Sequence, residues 1–332
     1  MQSARRAEVV TVGHALVDVL APVEDAVVAG LGLEKGTMTL VDGDRSEAIL
    51  SALRPETAVS GGSAANTAVG VAALGGAAGF IGKVRDDEWG RHFAADIRAA
   101  GVHYAVPVAA DGLPTGHAVV LVTPDGEKTM CTSLGIGDLL APDDVDRDLV
   151  GGASIVYLEG YLCGLPHTEA TVLATLAAAE DAGTVVALSL SDPLWVRLHR
   201  EELAALLPRV QLLFANGEEA CRMVGVEDPH AAAEALGRRC GTVVVTLGAD
   251  GSLVVGGDRL EAVPAAELTE VVDTTGAGDL FAAGFLHGHL QGAAPTEAAR
   301  LGALVAAEVV GHLGARPVAD LQALAGAAGL GR

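Results

Sequence analysis

Aromatic residues are scarce, at 3% of a 332-residue chain in which half the residues are hydrophobic. The core must therefore be aliphatic, built from Val, Leu, Ile and Ala. Basic residues are also few: 21 Lys and Arg stand against 43 Asp and Glu, a net charge of −22. A protein that neutralises DNA phosphates would not carry this balance, so no nucleic-acid partner is expected. Such charge favours solubility, and any anionic ligand needs local amides, lysine or metal to offset a repulsive field. The four cysteines, Cys131, Cys163, Cys221 and Cys240, form no CxxC pair. Neither a zinc site nor a disulfide framework is indicated, and a reduced, cytoplasmic setting fits. After Arg5-Arg6, the residues Glu8, His14 and Asp18 interrupt any signal-peptide core. Residues 57–82 carry no charge, a run long enough to raise a membrane question. Ser60, Ser63, Asn66, Thr67 and the many glycines argue against it, and we read a buried loop, helix and strand with no membrane partner.

Several familiar site motifs are missing too. There is no GxxxxGK[ST] loop and no GxGxxG with a downstream HRD; Gly82-Lys83 lacks the upstream glycine. No GxSxG elbow and no HExxH occur, which weakens hydrolase readings. His287 and His289 have no carboxylate or cysteine at ligand spacing, so a structural role is expected of them.

What is present centres on Val271-Val272-Asp273-Thr274-Thr275-Gly276-Ala277-Gly278-Asp279-Leu280-Phe281. Val271-Val272 reads as the close of a strand, and Leu280 onward as an apolar helix. Glycines at 276 and 278 would leave bare N–H groups at a helix start, an anion cradle with the Asp279 carboxylate at its edge. A carboxylate beside an anion hole suits phosphoryl transfer to an alcohol: the base takes the proton and the amides hold the moving charge. An ordinary Asp N-cap after a Gly turn is the plainer reading.

The chain in order has an α/β rhythm. Val9–Val12 is a first buried strand, and Asp18 lies just past a strand end, where open α/β sheets bind ligands. A short helix covers 25–30, a strand 37–41, and a helix from Asp44 or Ser46 runs through Leu53. Ser60 to Ala68 places glycines before a helix of small residues, with Asn66 one turn in, able to donate and accept. Short strands at 102–108, 117–123 and 128–132 fall outside the rhythm, the last two joined through a Pro124-Asp125-Gly126-Glu127 turn. With 14–20 and 37–41 they predict a separate small sheet, a lid formed by segments 14–42 and 102–133 that would exclude water. From 154 onward strands at 154–158, 184–190, 210–214 and 242–247 alternate with helices, including 167–182 and 194–207. Right-handed crossovers would bring the strand ends together, assembling a site from 159–162, 191–192, 216–219, 246–251 and 273–279. Asn216 and Glu219 have capping-box spacing, and are equally suited to positioning water and Mg²⁺. Helices at 295–312 and 317–328 finish the chain.

The run Asp273 to Asp279 resembles the second signature of the PfkB (ribokinase-like) carbohydrate and nucleoside kinases, and Ser60 to Ala68 resembles the first. Glu159-Gly160-Tyr161-Leu162, Phe214-Ala215-Asn216 and Thr123 to Met130 are similar to the bacterial adenosine-kinase-like branch. The resemblance spans about Val9 to Leu324. It implies one ribokinase-like three-layer α/β/α domain over 1–332, with a mostly parallel sheet and a small β-sheet lid. It implies ATP with Mg²⁺, and Asp279 as base with Gly276, Ala277 and Gly278 as anion hole. Asp18, Gly61, Gly62, Asn66 and Tyr161 would hold the acceptor, a nucleoside or sugar. Asn216, Thr246, Gly248 and Gly251 would line ATP, with Glu219 acting on Mg²⁺ through water. In some relatives a monovalent cation, K⁺, lies beside the positions of Asp273 and Thr275. Three readings follow: an adenosine-type nucleoside kinase, a sugar kinase, or a non-catalytic nucleoside or sugar sensor, as a monomer or a homodimer paired through the lid. Two departures stand out. Arg85 replaces a glycine in Gly82-Lys83-Val84-Arg85-Asp86-Asp87, and Met130-Cys131-Thr132-Ser133-Leu134-Gly135 stands where relatives often read Met-Asn-Thr-Tyr-Leu-Gly.

Overall fold

The computed structural model describes residues 7–331 except 56, 126 and 269. Arg5-Arg6 and Gly126 of the expected hairpin turn lie outside the described residues. In chain order the strands are β1 (Val9–Val12), β2 (Leu16–Pro22), β3 (Met38–Leu40), β4 (Thr57–Gly61), β5 (Ala78–Ile81), β6 (Thr115–Val122) and β7 (Lys128–Gly135). They continue as β8 (Ile155–Glu159), β9 (Val185–Ser189), β10 (Leu212–Asn216), β11 (Thr242–Thr246), β12 (Ser252–Gly256) and β13 (Arg259–Val263).

Two sheets result. The larger has the order β13-β12-β11-β10-β9-β8-β1-β5, parallel from β11 to β5, with β12 and β13 added antiparallel. Its parallel strands are short Val, Ile and Leu runs buried on both faces, as a sheet covered by helices requires. Strand order steps one way from β8 to β11 and the other way from β1 to β5, so right-handed crossovers place helices on opposite faces. Helices Ser63–Ala73, Ala277–Leu290 and Pro295–Val310 pack on one another. Bare glycines permit this closeness: a Cβ on Gly284 would lie 2.7 Å from the Cα of Gly302. Asp42, Asp87, Asp146, Asp192, Asp228 and Asp320 each accept backbone N–H bonds at a helix start, where negative charge also suits the dipole. Part of the acid excess is thus spent on capping.

The smaller sheet has the order β3-β7-β6-β2-β4. Its outer face buries Val119, Leu121 and Cys131 against Val28 and Ile49 of the helices Asp25–Gly30 and Gly43–Ser51. Each such aliphatic side chain contributes about 1.5–3 kcal/mol on burial. Its inner face presents Met130, Thr132 and Leu134, alternate residues of β7, to a cavity against the larger sheet.

Several expectations are corrected. Residues 102–108 add no strand to the small sheet. They run along the edge of the larger one, bridging Gly79 to His103, because Val102, Tyr104 and Val106 are buried in its core. Tyr104 packs there on Phe80 and Phe93, at 5.8 and 5.5 Å between ring centres. Residues 57–61 are not a loop but β4, the antiparallel neighbour of β2. Asp18 is not in a loop after the first strand; it lies within β2, in the 14–20 segment expected to join the small sheet. Asp42, not Asp44 or Ser46, caps helix Gly43–Ser51. The region 194–207 is two helices, Pro193–Leu198 and Arg200–Leu206, broken where His199 leaves helical geometry. Val271 and Val272 close no strand: both are exposed, and the backbone at 272 and 273 is held by N–H bonds to the Val310 carbonyl at 2.9 and 3.1 Å. After β11 the chain adds two antiparallel strands, β12 and β13, where none is expected from the sequence. Arg85 sits without left-handed strain, its N–H donating to Thr115 Oγ1 at 2.9 Å.

Candidate active site

The parallel strands end along one edge of the larger sheet. A cavity of about 980 Å³ follows that edge and continues beneath the small sheet. Small-molecule sites span roughly 300–1,000 Å³, so this one has room for two ligands in line. All five predicted segments contribute to its walls, with Glu159, Asp192, Asn216, Thr246 and Thr275 among them. Gly248 and Gly251 line it beside Thr246, and Asp18, from β2 of the small sheet, lines it with Gly62 and Asn66.

Helix Ala277–Leu290 begins after Gly276, whose φ of 77° is left-handed. A Cβ there would also lie 2.5 Å from that of Ala315, so glycine is required twice over. In the first helical turn Ala277 N–H donates to the Thr274 carbonyl at 3.2 Å and Leu280 N–H to that of Gly276 at 2.9 Å, which leaves the N–H groups of Gly278 and Asp279 without a backbone acceptor. Beside them a Cβ on Gly278 would meet nothing within 4 Å, so the turn opens on free space. Asp279 is the third residue of this helix and not its cap. Its carboxylate reaches across to helix Ser63–Ala73, accepting Ser63 Oγ at 2.6 Å and Asn66 Nδ2 at 3.0 Å. Burial pushes its pKa up to about 7; those two hydrogen bonds oppose the rise, and the charges of Glu159 and Asp18 add to it.

Asp18 rises to about 6, chiefly through burial, with Arg316 and Lys128 pulling it down. Gly61 does not line the cavity. It leaves room for Asp18, since a Cβ there would lie 2.3 Å from the Asp18 carboxylate. Tyr161 lines the cavity with its hydroxyl 3.4 Å from the Ser191 carbonyl, its ring edge-on to Trp195 at 5.7 Å. Leu162 is fully buried and faces no ligand space. Ser191 has a φ of 71°, the one positive value for a non-glycine among the described residues, and strain of this kind clusters at ligand sites.

Asn216 and Glu219 form the capping box in full. Glu219 N–H donates to Asn216 Oδ1 at 2.8 Å, and the Glu219 oxygens accept Asn216 N–H at 2.9 Å and Nδ2 at 2.6 Å. Burial pushes Glu219 up to about 7. Each carboxylate oxygen is thus engaged yet keeps a lone pair. This fits Mg²⁺ held through a water and not by direct ligation.

The surroundings of Asp273 fit a monovalent cation poorly. Its carboxylate accepts Thr275 N–H at 3.0 Å and Gly314 N–H at 2.6 Å, and it is ion-paired with Lys128 Nζ from β7. Burial raises this carboxyl, but Lys128 and the N–H donors outweigh it and hold the pKa below the ordinary value. Four other contributors had no sequence signal of their own. His14 Nδ1 bonds Glu159 at 2.7 Å in the cavity wall, with Nε2 left unpartnered. Ser63 sits in a recognised signature, but its bond to Asp279 spans 216 residues. Trp195 lines the cavity with its Nε1–H donating to the Cys163 carbonyl at 3.1 Å. Arg316 bonds Ser60 Oγ and carbonyl, both at 2.9 Å, behind Asp18. His287 and His289 are half-buried, His289 stacking on Phe285.

A bare-amide turn and a carboxylate of raised proton affinity, set midway along a cavity between a parallel sheet and a small cover sheet, define a small-molecule phosphotransferase of ribokinase-like fold. Residues 7–321 match the family model described as pfkB family carbohydrate kinase, and the chain belongs to that family. It is similar to the crystal structure of adenosine kinase from Sinorhizobium meliloti, with 41% identity and a TM-score of 0.91 over 97% of this chain and 99% of the other. A probable sugar kinase from Rhizobium etli gives 38% and 0.91 over 98% and 99%. Adenosine kinase of Saccharomyces cerevisiae is 31% identical over 86% of this chain and 89% of its own.

Proposed function

We propose that the protein transfers the γ-phosphoryl group of ATP to a primary hydroxyl of adenosine or a related nucleoside. The observation that carries this reading is the Asp279 carboxylate, held by Ser63 and Asn66 where the Gly276–Gly278 turn meets the half of the cavity under the small sheet. The acceptor's sugar hydroxyls bind Asp18 and Asn66, with the Gly62 backbone close by. Its primary hydroxyl gives its proton to Asp279 as the oxygen attacks the γ-phosphorus. The bond from that phosphorus to the β-bridging oxygen breaks, and ADP keeps the electron pair. The amides after Gly276 hold the charge on the moving group. ATP lies toward Thr246, Gly248 and Gly251. Glu219 and Asn216 would hold Mg²⁺ through a water, and the ion would supply charge that neutralises the phosphates. The small sheet closes as a lid and keeps competing water out.

Two observations favour a nucleoside. The cavity gathers Tyr161, Trp195, Phe214 and Phe281 in a chain poor in aromatics, together with Leu16, Met130 and Leu134. A nucleobase needs such an apolar slot, and a bare sugar does not. The likeness to the Sinorhizobium meliloti adenosine kinase points the same way. The likeness to the Rhizobium etli probable sugar kinase keeps a sugar acceptor as the second reading. ADP release from ATP and Mg²⁺, measured over a panel of nucleosides and sugars, tests both. Adenosine should give the highest kcat/KM. A sugar outrunning every nucleoside replaces the first reading with the second, and silence across the panel, with ligand binding retained, leaves a sensor.

A further inference from the structure

We propose that Lys128 is a built-in cation for the Asp273 turn, so that this kinase needs no K⁺. The Asp273 carboxylate organises the approach to the phosphate cradle: one oxygen accepts Thr275 N–H, and the other accepts Gly314 N–H. This carboxylate is 3% exposed, and a lone buried charge is costly. The charge that balances it comes from Lys128, 145 residues away in sequence and 12% exposed in its side chain. A metal cation at the same carboxylate would lie against the ammonium, and two like charges at contact distance in a half-buried site repel strongly. Lysine therefore supplies what a bound monovalent cation would: neutralisation of Asp273 and a fixed turn ahead of Gly276.

The two devices differ in one respect. A free ion exchanges with solvent, whereas Lys128 opens β7 of the small sheet. The cation is thus delivered by the cover itself, and its charge also reaches Asp18 on β2 of the same sheet. Seating the small sheet and ordering the phosphate cradle become one event. Lys128 is a positioning residue, acting on the transferring group through Asp273 and Thr275.

The test replaces the ammonium and offers the metal instead. Lys128→Met keeps the aliphatic reach and removes the charge; Lys128→Arg keeps the charge. Turnover is measured in KCl, NH₄Cl and choline chloride at equal ionic strength, and the melting temperature is followed over the same salts without substrates. The wild-type protein should be indifferent to the cation in both. Lys128→Met should lose about 10- to 100-fold in kcat in choline, the scale on which small misplacements act. K⁺ or NH₄⁺ should restore much of this loss and raise the variant's melting temperature above its value in choline, because a ligand that binds only the folded state stabilises it. Lys128→Arg should stay cation-indifferent. Stimulation of the wild type by K⁺, or a folded Lys128→Met that no cation restores or stabilises, overturns the proposal. The kinetic arm rests on the kinase reading. The thermal arm does not, so a protein inactive on every acceptor still reports on the cation site.

Discussion

Replacing Asp279 by asparagine should cost activity and increase stability, with a pH signature that ties both to one carboxylate. Burial raises this group from 3.8 to about 7. Between those values the folded protein holds a proton that the unfolded chain has released. Wild-type stability therefore falls as pH rises through this window and is level above it. A rise of about three units corresponds to about 4 kcal/mol. Water in the open cavity screens part of it, so about 2 kcal/mol is the working figure. Asparagine keeps the shape and one acceptor for Ser63 or Asn66 but has no proton to lose. The variant should match the wild type near pH 4 and exceed it by about 2 kcal/mol above pH 7, a few degrees in melting temperature. Turnover should fall by ~10²–10⁴-fold, as for loss of a general base. The acid limb of wild-type kcat/KM, rising through about pH 7 as Asp279 loses its proton, should vanish. Thermal melts and initial rates from pH 4 to 9 suffice. A stability difference that does not grow with pH, or near-normal turnover, would refute the reasoning.

Three further outcomes follow from the same geometry. Asp18→Asn should raise the acceptor KM by ~10-fold or more while the KM for ATP moves little, because one charged hydrogen bond to a sugar hydroxyl is worth about 1.5–3 kcal/mol; equal changes in both would move Asp18 off the acceptor. Gly276→Ala forces a left-handed residue against Ala315 and should destabilise the fold by about 1–3 kcal/mol, seen in chemical denaturation, and depress kcat in whatever remains folded. Glu219→Gln keeps an oxygen to accept Asn216 N–H, and so the cap, but sets its NH₂ against Asn216 Nδ2 and removes the charge that would seat a metal-bound water, so half-maximal activity should need several-fold more Mg²⁺; an unchanged Mg²⁺ titration would leave Glu219 as a cap alone.

Much of the molecule was legible in the chain because it is locally coded. Aliphatic runs of four or five residues read as buried strands and proved so in β1, β8, β9, β10 and β11. The pattern Gly276-Ala277-Gly278-Asp279 announced a bare helix start because only glycine tolerates the backbone there. Asn216 and Glu219 declared their cap by spacing alone. Where the reading failed, the local pattern was ambiguous. Residues 102–108 alternate like a strand, but the aromatic pocket around Phe80 and Phe93 claims Tyr104 for the larger sheet's core. Residues 57–61 looked like part of a loop, since nothing local says that β2 lies waiting beside them. Val271-Val272 has strand composition, yet no neighbouring strand offers it a ladder.

The sequence by itself set the order of most elements, the edge where the strand ends gather, and the glycine turn that starts the helix of Asp279. Tertiary structure alone decided what Asp279, Asp273 and Asp18 are chemically. Proton affinity depends on burial, on hydrogen bonds and on the nearest charges; the Ser63 hydroxyl and the Lys128 and Arg316 cations that supply the last two each lie more than a hundred residues from the carboxylate they serve.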